Sequence, residues 1–173
     1  MLSGRKFRRI TIFFTIILLV LTFLCLFLVF AHSSVTTNMD TYAYNLPYQK
    51  GNNFKVVQGY GGLFSHYQIA ALDFNMPEGT IICAAREGTI YSYKEDSNEG
   101  GPFEKYKNKA NYIIIKHADG SFGCYWHLKK NGVLVKKGKV QKGQTIGISG
   151  ATGFVITPHL HFSVKRKLNY DKI

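Results

Sequence analysis

The chain has 173 residues, three of them cysteine, and a net charge of +12. That length suits one domain and a leader. No two cysteines stand in a Cys-x-x-Cys pair, so no thiolate zinc site is suggested. The basic balance points to an acidic partner (a cell-wall polymer, a membrane surface or nucleic acid) or to a basic surface kept for solubility.

Residues 1–34 hold Arg5, Lys6, Arg8 and Arg9 and no acid, so the remaining chain carries +8. From Ile10 to Ala31 come 22 uncharged residues, nearly all apolar. As a helix they would span about 33 Å, enough for a bilayer core of about 30 Å. The apolar core of a cleavable signal peptide is shorter, about 7–15 residues. Residues 1–31 are therefore predicted to be an uncleaved signal anchor, one transmembrane helix. The basic flank keeps the N-terminus in the cytoplasm and the rest on the exported side of the inner membrane. Cleavage near Ala31-His32-Ser33, giving a secreted protein, is the alternative. Cys25 sits among large apolar residues and lacks the small neighbours of a lipidated cysteine.

Residues 32–43 read as a polar linker, and residues 44–173 as the folded domain. The domain shows short β-branched and aromatic runs separated by turn signals: 54–57, 80–84, 88–93, 111–116, 122–126, 145–149 and 161–164. No amphipathic helix of ten residues or more is visible, so an all-β fold is expected, a compact antiparallel sheet with a barrel-sandwich character. Residues 94–110 are polar and glycine-containing and read as a long loop. Cys83 and Cys124, with 40 residues between them, lie in strand-like runs and are either a disulfide or two separate buried thiols. Residues 132–147 place glycines at tight turns between very short strands, a pattern also found in biotin and lipoyl carriers. Lys137 and Lys142 are candidate carrier lysines by position only. Neither lies in a carrier motif, and a carrier has no use for the histidines.

Four of the six histidines stand beside features that suit one site. In Pro158-His159-Leu160-His161-Phe162, a strand puts both imidazoles on one face and Leu160 on the other. His66 follows a glycine-containing stretch, and His127 lies in Tyr125-Trp126-His127-Leu128. Asp73 interrupts an apolar run, Ala70 to Phe74. A hydrolytic zinc site takes three protein ligands and leaves one position open. His66, Asp73 and one of His159 or His161 supply that count. His66 and Asp73 are seven apart and would face opposite sides of a straight strand. A loop or bulge must intervene, with His66 on the loop and Asp73 at the start of a strand. His32 and His117 have plainer roles, at the end of the leader and in a turn before a hairpin.

These pieces, in this order, resemble the lysostaphin-type (LytM-like) zinc peptidoglycan endopeptidases. The resemblance runs from about Tyr44 to Val164. It rests on Gly59-Tyr60-Gly61-Gly62, Phe64-Ser65-His66, Ala71-Leu72-Asp73-Phe74, Met76-Pro77-Glu78-Gly79-Thr80, Ala84-Ala85-Arg86-Glu87-Gly88, Tyr125-Trp126-His127-Leu128, Gly143-Gln144, Ser149-Gly150-Ala151-Thr152-Gly153 and the His-x-His segment. It implies an antiparallel sheet with a narrow groove over the metal, Zn2+ held by His66, Asp73 and His161, and His127 and His159 flanking the water and the scissile carbonyl. Which of the two rings is the general base stays open. The implied substrate is the peptide part of peptidoglycan. The alternative is an inactive relative that binds cell wall or regulates another hydrolase. Two departures stand out. Six residues separate His66 from Asp73 where many members have three, and about ten follow His161 where many members continue with another strand. With a membrane anchor no nucleic-acid partner is expected. A regulatory protein partner is neither indicated nor excluded.

Overall fold

Alternation decides the main sheet. In His159–Lys165 the residues Leu160 and Phe162 are buried, while His159 and His161 between them are half-buried. In Ala71–Asn75, Phe74 enters the core and Asp73 faces the other side. The computed structural model that shows this describes residues 4–33, 42–62 and 65–168. The chain divides into two units, residues 1–42 and 43–173.

The first unit is one helix, α1 (Gly4–Ser33). Within the apolar run its side chains are described from residue 12 to residue 26, and all of these are exposed. That stretch is about 22 Å of helix. Among the described residues, no helix is long and apolar enough to cross a membrane. Most of the predicted linker, 34–41, lies outside the described residues.

The second unit is antiparallel β-structure. Its strands are β1 (Val56–Gln58), β2 (Ala71–Asn75), β3 (Ile81–Cys83), β4 (Gly88–Lys94), β5 (Gly100–Gly101), β6 (Asn111–Lys116), β7 (Phe122–Val133), β8 (Lys139–Val140), β9 (Thr145–Ser149), β10 (Gly153–Phe154) and β11 (His159–Lys165). The main sheet runs β1-β2-β11-β7-β6-β4-β8, and β9 pairs with both β3 and β7. Phe74, Ile113, Ile115, Tyr125, Leu160 and Phe162 cover one face and form the core with Met76, Ile82, Leu128 and Ile146. The other face carries Asp73, His161 and Trp126. His117 is buried and closes the β6–β7 hairpin, its N–H donating to the Ser121 carbonyl at 2.8 Å.

The segment 94–110 is more ordered than its composition suggests. It holds β5, which pairs in parallel with β10, and a 3-10 helix, Glu104–Lys109. Glycine makes the pairing feasible. A Cβ on Gly100 would lie 1.8 Å from the Ala151 carbonyl oxygen, so no larger residue fits. Cys83 and Cys124 are two separate buried thiols. Burial pushes the Cys124 thiol up to about 11. Of the two candidate carrier lysines, Lys142 donates to the Ala43 carbonyl at 2.5 Å and is tied to the domain's first residues.

Candidate metal centre

Three segments converge on one point. His66 lies in the loop between β1 and β2, as the spacing to Asp73 requires. That loop is folded by bonds from the His66 N–H to the Gly62 carbonyl (3.1 Å) and from the Ile69 N–H to the His66 carbonyl (2.8 Å). Asp73 sits in the middle of β2, not at its start. It is directly opposite His161 on β11. His66 Nε2 is 3.2 Å from Asp73 Oδ2 and 3.2 Å from His161 Nδ1. Asp73 Oδ1 is 2.9 Å from His161 Nδ1. The ligand atoms of the three residues all lie within 4.8 Å of one another.

His159 joins the same face two residues earlier, with Nε2 3.8 Å from Asp73 Oδ1. His127 arrives by a different device. Tyr112 pairs with Trp126 and Asn111 with Leu128, so His127 is the extra residue of a β-bulge. Plain alternation would turn it toward the core beside Tyr125. The bulge puts it on the same face as Trp126, at a backbone φ of 68°. Its ring then lies 4.6 Å from that of His159 and 6.1 Å from that of His161. A left-handed φ costs a non-glycine residue about 1–2 kcal/mol, and the Gly150 N–H bond to the His127 carbonyl helps to hold it.

Backbone carbonyls fix the tautomers. A carbonyl only accepts, so the ring nitrogen facing it must donate. His66 Nδ1–H donates to Gly59 (2.9 Å), His127 Nδ1–H to Thr152 (2.7 Å) and His159 Nδ1–H to Thr157 (2.8 Å). In the neutral rings, Nε2 of each therefore carries a lone pair. For His66 it points at the cluster. For His127 and His159 it serves the groove that both rings line. For His66 this is the kind of second-layer bond that orients a metal-binding histidine.

The charges agree with a cation site. Burial pushes the Asp73 carboxyl up, but the hydrogen bond from His161 and the neighbouring imidazoles outweigh it, and the net value is below the usual carboxylate range. Burial drives His161 down, with partial opposition from Asp73. Burial first, then His159 and His161, push His127 down to about 3. Two neutral imidazoles and one carboxylate are the donor set of a hydrolytic zinc centre, and their convergence fits such an ion.

A groove of about 250 Å³ opens onto the cluster, lined by Gln58, Asp73, His127, His159 and His161 and by apolar residues including Val57 and Ile156. All five histidine and aspartate residues picked from the sequence come together here. Gln58 is the residue that sequence reasoning missed. It stands opposite Asp73 across the β1–β2 pair. Its side-chain amide donates to Asp73 Oδ2 at 3.1 Å and to Ser65 Oγ at 2.6 Å, and its oxygen accepts from the Ser65 N–H at 3.3 Å. Its only sequence signal is its place just before Gly59, in a strand three residues long.

Fold and donor set together define an antiparallel β-domain of the metallohydrolase class. Residues 67–172, about three fifths of the chain, match peptidase family M23, and the chain belongs to that family. The matched span includes Asp73, His127, His159 and His161 and begins one residue after His66. Over 93 residues the chain is 39% identical to peptidoglycan DD-endopeptidase ShyA of Vibrio cholerae serotype O1, covering 53% of this chain and 19% of that protein. Cell division protein DipM of Caulobacter vibrioides is 32% identical over 95 residues, covering 54% of this chain and 14% of that protein. The chain thus spans about a fifth or less of the length of these curated relatives. Among solved structures, the catalytic domain of the antimicrobial peptidase lysostaphin from Staphylococcus simulans superposes with a TM-score of 0.55 at 31% identity, covering 70% of this chain and 87% of that one.

Proposed function

We propose that the chain is a zinc-dependent endopeptidase that hydrolyses peptide cross-links of bacterial peptidoglycan. The observation that carries this is the meeting of His66, Asp73 and His161 within 4.8 Å, beside two histidines whose tautomers are fixed. His66 would bind zinc through Nε2, His161 through Nδ1 and Asp73 through its carboxylate. When bound, the zinc supplies a Lewis acid that polarises the scissile carbonyl and makes water acidic near neutral pH. The chain's own groups do the rest. His159 Nε2 accepts the proton of the attacking water and passes it to the leaving amine. Burial that keeps His127 neutral makes it a poor carrier of charge, which favours His159 for that step. His127 Nε2 accepts a hydrogen bond and orients the water. The relatives named as peptidoglycan DD-endopeptidases support a cross-link as the substrate.

The same proposal makes α1 a membrane anchor, with the second unit on the exported side. A continuous helical backbone, Gly4–Ser33, that contains the 22-residue uncharged run supports it. The test of the activity is digestion of purified sacculi by the zinc-loaded full-length chain, with the fragments read by mass spectrometry. Cross-linked dimers should fall and uncross-linked peptides rise, and a chelator should stop both. Sacculi left intact by a fully zinc-loaded chain would mean an inactive cell-wall-binding relative instead.

A further inference from the structure

The sheet face that carries the metal cluster continues beyond it. One cross-strand row runs Asp73, His161, Trp126, Tyr112 and Lys94 over β2, β11, β7, β6 and β4. Two rows further along β11 comes another, Lys165, Phe122, Lys116 and Thr89. Four strand residues separate the two rows, about 13 Å. Between them lie the buried side chains of Cys124 and Ile114.

The face of an antiparallel sheet turned away from the core is usually polar. Here it bears aromatic pairs. Tyr112 and Trp126, in the same row as Asp73 and His161, have ring centroids 4.6 Å apart. Tyr91 is the extra residue of a bulge in β4 and brings its ring edge-on to Phe122 at 5.1 Å. Tyr91 stays 46% exposed. Lys165 and Lys116 bracket Phe122 in register. Apart from Asp73 in the metal cluster, neither row contains a carboxylate. Lys94 is paired with Asp96 at 3.6 Å and donates to the Asn108 carbonyl at 3.2 Å, which leaves the positive charge of these two rows concentrated around Phe122.

We infer that this face binds the glycan strand of the polymer whose peptide cross-link enters the groove. Sugar rings stack on the Tyr112–Trp126 and Tyr91–Phe122 pairs, and carboxylates meet Lys116 and Lys165. The inference rests on the peptidoglycan reading above. Three arguments favour this occupant. Pyranose rings offer C–H faces that match flat aromatic rings, whereas a stem peptide offers none. Muramic acid residues that carry no stem peptide expose free lactyl carboxylates, which complement the lysines. The third is reach: an extended peptide of about four residues covers at most about 14 Å. A glycan joined to a peptide at the metal therefore lies no more than about 14 Å from it, and the Lys165–Phe122–Lys116 row, about 13 Å along the strand, is within that reach.

The test uses the zinc-loaded full-length chain and glycan strands freed of peptide by an amidase. Saturable binding is expected, weakened about tenfold or more by Tyr91→Ala and, separately, by Lys116→Glu combined with Lys165→Glu. The charge variant covers the case in which an aromatic replacement disturbs folding. Both variants should cleave soluble, sugar-free peptide dimers as the unaltered chain does, while KM on intact sacculi rises. Absence of glycan binding overturns the inference, as does binding unchanged in both variants. Binding of a single-stranded oligonucleotide or of anionic vesicles as tightly as glycan overturns it too. A chain that cleaves peptide dimers without binding glycan removes this inference alone. A chain that binds glycan through these residues but cleaves nothing removes the peptidase reading alone.

Discussion

Five side chains crowd the candidate metal centre, and their distances separate them into two groups. His66, Asp73 and His161 share a set of mutual contacts between 2.9 and 3.2 Å. His159 stands off at 3.8 Å from Asp73, and His127 meets the others by ring proximity only. Alanine at any of the first three should therefore remove both zinc and activity, because two ligands hold the ion poorly. Alanine at His127 or His159 should keep about one zinc per chain while activity falls about 100-fold or more. Zinc content and sacculus hydrolysis of the five variants decide it. The assignment fails if His159→Ala empties the site while His161→Ala leaves it filled. Protons compete with zinc for the histidines, whereas the Asp73 carboxyl, held below its usual range, stays ionised longer. Zinc should accordingly be released as pH falls below roughly 6, where free histidine protonates. Gln58 belongs to the supporting layer. Without its bond to Asp73 Oδ2 the carboxylate is free to turn, so Gln58→Ala should weaken zinc binding about 10–100-fold, measured by chelator competition. Affinity equal to that of the unaltered chain would reduce Gln58 to a loop tie through Ser65.

At the scale of elements, the β7 bulge matters most. The alternation of Phe122–Trp126 was legible, and so was the pairing of His159 with His161 on one face, because a period of two is visible in a single strand. The bulge was not. It exists only as a mismatch between β6 and β7, and nothing in Tyr125-Trp126-His127-Leu128 says that one residue will go unpaired. Gln58 escaped for the same reason, since its meaning lies in its partner across the β1–β2 pair. The order in 94–110 was hidden because Gly100 and Gly101 look like loop residues until β10 is placed beside them. A direct consequence concerns His127 and its φ of 68°. Any side chain there bears the left-handed strain, and glycine does not. His127→Gly should therefore be more stable than His127→Ala by about 1 kcal/mol, read from urea denaturation of the two variants. Both should lack activity. Equal stability, or a more stable alanine variant, would mean that the strand straightens and the bulge is not intrinsic to β7.

For the whole molecule, the question is how a basic β-domain is kept near an insoluble polymer. The part of the chain beyond residue 34 carries +8, and the helix that precedes it holds four basic residues near its start. If α1 is the proposed anchor, the exported domain would search only the layer next to the membrane, and its effective concentration there would be set by the tether and not by affinity alone. A secreted form would lose that restriction and would rely on charge and on the sheet face for retention. The two forms differ in a measurable way. If α1 is an uncleaved anchor, the mature protein keeps residues 1–31, sediments with membranes, resists extraction by high salt and dissolves in detergent. High salt screens the basic domain to within a Debye length of about 3 Å at 1 M, so retention through charge alone would be released. N-terminal sequencing of the cell-associated protein completes the test. A mature chain that begins near Ser33 and washes off in salt would replace the anchor with a secreted enzyme and leave the metal centre, which lies wholly in residues 43–173, as it stands.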